Sequence, residues 1–190
     1  MGTKDEAKDP ASGKKHDQSL LRIELGGGNR PAGGYFNVDI EPGDNVDLVA
    51  DFNKPLPFDD CSCREVYSSH CFEHVANVSA LIREVARICV VGSPVTIKVP
   101  HFGQEMAMCP GHLHVLSEQN IEHFREFSDD WWTGPRKLSH ISTEYTPTKW
   151  FEQASNLFPK LNRNQIFRYI QNTCHECVFM FVVQDNENYK

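Results

Sequence analysis

The sequence has no apolar run that approaches the length of a membrane span, and no apolar signal region opens the chain. It therefore predicts a soluble protein and gives no indication of export. Positive charge is also scarce, because 19 Lys and Arg against 26 Asp and Glu leave a formal net charge of −7. A duplex-binding surface needs clustered Lys and Arg to neutralise phosphates, so no nucleic-acid partner is expected.

The cysteines lack the pattern of a disulfide framework. There are seven, an odd number scattered through 190 residues, which is typical of reduced thiols and predicts a cytoplasmic location. A structural zinc site is not indicated either. Neither the group His101, Cys109, His112 and His114 nor the Cys-x-x-Cys at 174–177 has a second pair at zinc spacing. The sequence therefore gives no reason to expect a metal.

One domain is expected after an N-terminal tail. Residues 1–19 have almost nothing apolar and mix both charge signs, which is typical of disorder. Residues 20–190 have enough apolar material for one core, since 39% of the chain is hydrophobic.

Strands alternating with helices predict an α/β fold around a mostly parallel sheet. The predicted strands are residues 20–25, 36–40, 46–50, 64–69 and 94–99. A helix starts at Asn77 and ends before Gly92. Its buried face is predicted to be Val78, Leu81, Ile82, Val85 and Ile88. Two later apolar runs, 165–170 and 178–183, predict an antiparallel C-terminal hairpin.

Residues 101–150 have a different composition, with all three tryptophans and a concentration of His, Met and Phe. Such aromatics suit a lid over an acceptor and a packed core equally. Residues 101–150 are expected to form the acceptor side of the domain, as an insert or lid. Ser117 is expected to cap a helix that carries Ile121, Phe124 and Phe127 on one side. A second helix is expected to start at Pro147 and stop at Pro159. Its predicted buried residues are Trp150, Phe151, Ala154 and Phe158.

The stretch 21–51 is laid out as a nucleoside-cofactor pocket. A short apolar strand ends at three glycines, 26–28, and a glycine turn lets a ligand approach the backbone. The second strand ends at Asp39, whose carboxylate can accept hydrogen bonds from ribose hydroxyls. The third ends at Asp51, within reach of an adenine amino group.

The connection between the first two strands is unusually short. Pro31, Gly33 and Gly34 leave no room for a helix, so a loop or a single turn is expected. A nicotinamide site would need G-x-G-x-x-G opening a helix, with an acid about 20 residues further on. Here Pro31 occupies the last glycine position and Asp39 comes too early. An NAD-dependent oxidoreductase is therefore a less favoured alternative.

These motifs resemble those of class I S-adenosylmethionine-dependent methyltransferases. The sequences ELGGG (24–28), NVDI (around Asp39) and VADF (around Asp51) are similar to that family's first three motifs. LPFDDCSCREVYSSHCFEHV (56–75) resembles its proline-rich loop, fourth strand and Ser-His-x-x-Glu-His turn. The following helix and fifth strand extend the resemblance to residue 100. The short turn before NVDI is similar to a compact, methyltransferase-type-11-like branch.

The resemblance implies a Rossmann-like class I methyltransferase sheet and an enzyme that uses S-adenosylmethionine and releases S-adenosylhomocysteine. The implied cofactor-binding residues are Glu24, Leu25, Gly26, Gly27, Gly28, Asp39, Ile40, Asp51, Phe52, Ser69 and His70. In that family the glycine turn contributes backbone contacts, and the acid after the second strand holds the ribose. The next apolar residue packs on the adenine, and the acid and aromatic after the third strand recognise its edge. Ser69 and His70 would lie beside the methionine portion.

Methyl transfer from an activated sulfonium mainly needs in-line positioning, with a base only where the acceptor keeps its proton. Histidine suits that task near neutral pH. His70, His101 and His112 are the candidate catalytic residues, because they fall at or after the ends of the fourth and fifth strands, where open α/β sheets bind ligands. The expected acceptor is a small molecule or a glycan, methylated on O or N. A non-catalytic S-adenosylmethionine-binding module is the alternative.

Overall fold

A computed structural model of the chain describes residues 20–121, 134–157, 160, 162–187 and 189. The predicted tail at 1–19, and the predicted helix residues Phe124, Phe127, Phe158 and Pro159, lie outside the described residues. Among the described helices, none has the length and apolar character needed to cross a membrane.

Within the described residues, seven strands form one sheet. The strands are β1 (Leu21–Leu25), β2 (Phe36–Asp39), β3 (Leu48–Val49), β4 (Cys63–Ser69), β5 (Pro94–Pro100), β6 (Arg136–Pro147) and β7 (Cys174–Asp185). Their order across the sheet is β3-β2-β1-β4-β5-β7-β6. β1 to β5 pair in parallel, and β7 pairs antiparallel with both β5 and β6. The Rossmann-like fold prediction, mostly parallel with an antiparallel C-terminal pair, is confirmed.

The core lies around the central strands. Ile23 and Leu25 of β1 are fully buried, and they share one cluster with Val66 of β4, Ile97 of β5 and Phe179 of β7. Glu24, on the opposite face of β1, is also buried, so both faces of this strand are covered at its carboxyl end.

Helix α1 (Val78–Ile88) follows the prediction closely. The Asn77 side chain caps it by accepting a hydrogen bond from the Ala80 N–H at 3.0 Å. All five residues of the predicted apolar face are buried. The helix ends at Ile88, ahead of Gly92, and the chain then turns into β5.

The connection between β1 and β2, residues 26–35, contains no helix, as predicted. Side chains of the two strands hold it instead. The Glu24 carboxylate accepts a hydrogen bond from the Ala32 N–H at 2.5 Å. The Asn37 amide donates to the Gly28 carbonyl at 2.8 Å. Polar side chains of β1 and β2 therefore hold the loop in place through hydrogen bonds to its backbone.

The predicted C-terminal hairpin is wrong in its first half. Residues 165–170 lie mostly in helix α3 (Arg163–Tyr169), which Asn162 caps through the Gln165 N–H. The antiparallel partner of β7 is β6, from the region assigned to the acceptor side. β6 is an edge strand with one buried apolar residue, Leu138. It therefore lacks the apolar run by which a buried strand is recognised.

The helix expected at Pro147 also differs from its prediction. Pro147 is the last residue of β6, and helix α2 (Lys149–Asn156) starts two residues later, after Thr148. Phe151 is buried as predicted, whereas Trp150 is 53% exposed. The Trp150 indole N–H donates to the Asn172 carbonyl at 2.8 Å, and this bond keeps the ring at the surface.

Candidate active site

The glycine turn after β1 packs against the turn that follows β4. Gly26 has a φ of +80°, and a Cβ there would lie 2.5 Å from Cβ and 2.7 Å from Sγ of Cys71. Only glycine suits both the left-handed backbone and this close approach. Gly28 also has a positive φ, and its N–H donates to Oδ2 of Asp39 at 2.9 Å. The turn is therefore joined to the end of β2.

A pocket opens at this turn, at the carboxyl ends of β1, β2 and β4, and we call it the glycine-turn pocket. Its lining residues are Gly26, Asp39, Ile40, Phe52, Asn53, His70, Cys71, His74 and Val75. Ile40 is 53% exposed beside the buried Phe52. The wall thus offers an open apolar surface next to a carboxylate, which suits a base linked to a sugar.

The two acids predicted to hold the nucleoside differ in position. Asp39 lies in the pocket wall. Each of its carboxylate oxygens accepts one hydrogen bond, from the Gly28 N–H or the Glu41 N–H, so each keeps a lone pair for a further donor. Asp51 is outside the wall. Its Oδ1 accepts hydrogen bonds from the backbone N–H and the side-chain amide of Asn53. These hydrogen bonds, of which the backbone one has the larger effect, hold the pKa of Asp51 below its ordinary value.

The remaining predicted cofactor residues lie behind the wall. Leu25 is fully buried in the core and Glu24 is 4% exposed. Burial raises the pKa of Glu24, against the opposing effect of the Ala32 N–H. Gly27 and Ser69 do not line the pocket. Glu24 and Leu25 could therefore reach a cofactor only through their backbone groups.

A second pocket, which we call the histidine pocket, encloses about 470 Å³ beyond the ends of β4 and β5. Its lining residues are His70, Glu73, His74, Pro100, Gln104, Met106, His112, His175 and Glu176. It shares His70 and His74 with the glycine-turn pocket. These two residues therefore separate the two sites.

His70 is held in a constrained position between the pockets. Its φ of +55° is in the left-handed region, which is uncommon for a residue with a side chain. Nε2 lies 2.8 Å from Oε1 of Glu176, and Nδ1 lies 3.4 Å from Oε1 of Glu73. The two carboxylates raise the pKa of His70, and Glu73 has the larger effect. Burial lowers this pKa, but by less than the carboxylates raise it. A raised pKa suits a positioned cation better than a base.

The other two candidate histidines differ sharply. His101 is fully buried and lines neither pocket. Its Nδ1 accepts the Gly103 N–H at 3.2 Å, and burial lowers its pKa. His101 therefore lacks access to an acceptor. His112 does line the histidine pocket, and within the described part of the chain its buried Nδ1 has no hydrogen-bond partner.

Seven of the nine residues that line the histidine pocket were not singled out from the sequence, among them Glu73, His74 and Glu176. Glu73 and His74 stand in the quoted Ser-His-x-x-Glu-His turn, so the signal for them was present. Glu176 gave no signal, because β7 begins at Cys174, earlier than the predicted strand at 178. Cys174 and Cys177 are both buried in this strand, and do not lie at a hairpin turn.

The position of His101 predicts a pH effect on stability. Because its pKa in the folded chain lies below the ordinary 6.5, acidification protonates the unfolded chain first. Stability should therefore fall as the pH drops through 6.5, by up to about 1.4 kcal/mol per pH unit from this residue. Urea unfolding at pH 7.5, 6.5 and 5.5 should show a shallower loss for His101→Phe than for the unchanged chain. The exposed His175→Gln is the control, and an equal slope in His101→Phe would contradict the prediction.

Comparisons with known proteins agree with this architecture. The family model described as "Methyltransferase domain" matches residues 36–96, from β2 into β5. No curated protein matches the sequence.

Solved structures share the fold at low identity. An S-adenosylmethionine-dependent methyltransferase from Archaeoglobus fulgidus is 13% identical, with a TM-score of 0.58 and 87% of each chain covered. One from Mesorhizobium loti is 12% identical, with a TM-score of 0.55, over 86% of this chain and 91% of that one. The [4+2]-cyclase SpnF is 12% identical, with a TM-score of 0.53, over 86% of this chain and 75% of that one.

The fold and the domain match together confirm the resemblance to class I S-adenosylmethionine-dependent methyltransferases. They also bear out the expectations of an enzyme, of S-adenosylmethionine as cofactor and of S-adenosylhomocysteine as product.

Proposed function

We propose that the glycine-turn pocket binds the nucleoside of S-adenosylmethionine and that the histidine pocket binds the methyl acceptor. The observation that carries this assignment is the pair His70 and His74, which forms a wall of both pockets. A methyl group moving from one ligand to the other has to pass at such a boundary. A pocket of about 470 Å³ suits a small molecule or a terminal sugar, within the usual range for small ligands.

The residues of the glycine-turn pocket fit a nucleoside with a charged tail. Asp39 has lone pairs for the ribose hydroxyls, while Ile40 and Phe52 form an apolar surface for the adenine. The Gly28 N–H is already bonded to Asp39, so it is not available for the methionine carboxylate. Arg30, exposed on the same loop, is the better candidate for that group.

When bound, S-adenosylmethionine supplies an electrophilic methyl group on a positively charged sulfur. The protein then has to orient the acceptor and exclude competing water. Glu73 and His112 present unpartnered polar atoms around the histidine pocket, and His70 is fixed beside them by Glu176. We assign acceptor orientation to these side chains, and we do not assign His101 a catalytic role.

Calorimetric titration with S-adenosylhomocysteine tests the cofactor assignment. The unchanged chain should bind it, and Asp39→Asn should bind roughly 10- to 100-fold more weakly, because a charged acceptor of ribose hydrogen bonds contributes about 1.5–3 kcal/mol. Asp44→Asn is the matched control, since it removes an exposed charge from the loop between β2 and β3, and Asp44 does not line the pocket.

The result has three informative outcomes. Equal affinity in the two variants would place the ribose elsewhere. Binding of NADH in preference to S-adenosylhomocysteine would overturn the methyltransferase assignment in favour of the oxidoreductase. Binding without turnover across hydroxyl, amine and sugar acceptors would favour the non-catalytic module, and the fold of SpnF shows that this architecture is not confined to methyl transfer.

A further inference from the structure

Three potential metal ligands meet at the wall of the histidine pocket. Glu73, His74 and His112 each offer one ligand atom, and these atoms lie within 4.8 Å of one another. The His74 and His112 rings are 4.6 Å apart and edge to face. The backbone carbonyl of Glu73 accepts the N–H groups of Leu113 and His114 at 2.7 and 3.2 Å, and this fixes the two segments together.

Glu73 is the most unusual member of this group. Its side chain is 2% exposed, and neither carboxylate oxygen accepts a hydrogen bond from any residue that the structure describes. His70 Nδ1 lies 3.4 Å from Oε1, without the geometry of a hydrogen bond. A buried carboxylate without hydrogen bonds is strongly unfavourable unless a cation compensates it. Protonated His70 places one positive charge 3.4 Å from this carboxylate, and both carboxylate oxygens keep lone pairs that a further cation could use.

The two imidazoles are oriented as metal ligands. His74 Nδ1 lies 3.0 Å from the Gly111 carbonyl, and a carbonyl only accepts, so Nδ1 carries the proton and Nε2 keeps a lone pair. A backbone carbonyl on the second ring nitrogen is the usual partner of a ligating histidine. The buried Nδ1 of His112 has no hydrogen-bond partner among the described residues, so no other group there competes with a metal ion for this nitrogen.

We propose that Glu73, His74 and His112 bind one divalent first-row transition metal ion. Two imidazoles and one carboxylate are the protein ligands of many catalytic zinc sites and of non-haem iron(II) sites, whereas Mg²⁺ and Ca²⁺ prefer oxygen ligands alone. Three protein ligands leave a coordination position for a substrate atom. The set differs from the His and Cys groups considered from the sequence, of which it includes only His112.

The location gives the ion a role that rests on the proposed function. The three ligands line the pocket assigned to the acceptor, so the open position would take an acceptor hydroxyl. A bound cation lowers the pKa of such a hydroxyl, and its proton is released to water. The acceptor oxygen then bonds to the methyl carbon as the carbon–sulfur bond breaks, and the sulfur keeps the electron pair. The metal site therefore favours O-methylation.

Cobalt(II) and zinc(II) titrations of the tag-free, chelator-treated chain test the site. We expect one equivalent of Co²⁺ to give visible d–d bands without the intense near-ultraviolet band of a cobalt–thiolate bond, and Zn²⁺ to displace it. A strong thiolate band would place the ion at cysteine ligands, such as Cys174 and Cys177, and would overturn the proposal. So would the absence of tight Co²⁺ binding.

Variants separate the three ligands from their surroundings. Glu73→Gln and His112→Ala should each bind Co²⁺ at least about 100-fold more weakly, since even loss of an outer partner typically costs 10- to 100-fold. His175→Ala is the matched control, because it removes an exposed imidazole from the same pocket but not from the ligand group. Equal weakening in all three variants, or in none, would contradict the assignment.

A parallel S-adenosylhomocysteine titration keeps this inference distinct from the proposed function. Loss of Co²⁺ binding in Glu73→Gln with S-adenosylhomocysteine affinity retained supports the metal site. Co²⁺ binding to a chain that does not bind S-adenosylhomocysteine would contradict the function and leave the metal ion in place. Binding of S-adenosylhomocysteine without any tight Co²⁺ binding would support the function and contradict the metal site.

Discussion

Gly26→Ala should abolish measurable S-adenosylhomocysteine binding and destabilise the fold by about 2–5 kcal/mol. The left-handed backbone of this residue costs a side chain about 1–2 kcal/mol. Overpacking against Cys71 adds about 1–3 kcal/mol, because the nearest atom, Cβ, is attached directly to the backbone and cannot swing away. Relief of the clash must move either the glycine turn or the β4 turn, and both line the glycine-turn pocket. Urea unfolding and calorimetric titration measure the two effects.

Gly33→Ala is the matched control in the same loop. No atom lies within 4 Å of a Cβ at this position, and its backbone is outside the left-handed region. The control should keep its stability within about 0.5 kcal/mol and bind S-adenosylhomocysteine normally. Cys71→Gly, combined with Gly26→Ala, should restore part of the lost stability, since it removes the two closest atoms. Normal binding by Gly26→Ala alone would show that the turn does not form the pocket.

The core of the fold could be predicted because it is encoded locally. β1, β2, β4, β5 and α1 each carry a periodic apolar pattern, and all five were located within a few residues. β6 was not predicted, and α3 was assigned to a strand, because their local patterns are weak on their own. Twelve-residue β6 becomes a strand by pairing with β7, a contact between segments far apart in the sequence. The secondary structure of this segment is therefore determined by its pairing with β7 and not by local propensity.

The sequence likewise predicted only those parts of the candidate site that are encoded by short-range signals. The glycines and Asp39 could be recognised because a tight turn and an acid after a strand are short-range signals. Glu73, His74 and His112 come from two turns separated by α1 and β5, so their proximity depends on how β4 and β5 pair. His101 shows the converse, since it follows β5 as expected and yet points into the protein. Position after a strand does not fix the direction of a side chain.

The short first connection raises the question of what stabilises the turn where a helix is absent. Asn37 of β2 is fully buried below it. Its side-chain N–H₂ donates to the Gly28 carbonyl at 2.8 Å and to the Asn45 carbonyl at 2.6 Å. One residue thus joins the glycine turn to the loop between β2 and β3. We infer that these bonds perform the positioning otherwise supplied by the helix.

Asn37→Ala should therefore destabilise the chain by about 2–4 kcal/mol, because two carbonyls lose their donor and a cavity opens between the loops. Affinity for S-adenosylhomocysteine should fall along with stability, since Gly28 positions Asp39. Asn45→Ala is the matched control. It removes one exposed bond to the Asn29 carbonyl and should cost about 1 kcal/mol or less. If urea unfolding gives Asn37→Ala and Asn45→Ala the same stability, the glycine turn holds its shape without Asn37, and the loop backbone alone replaces the helix.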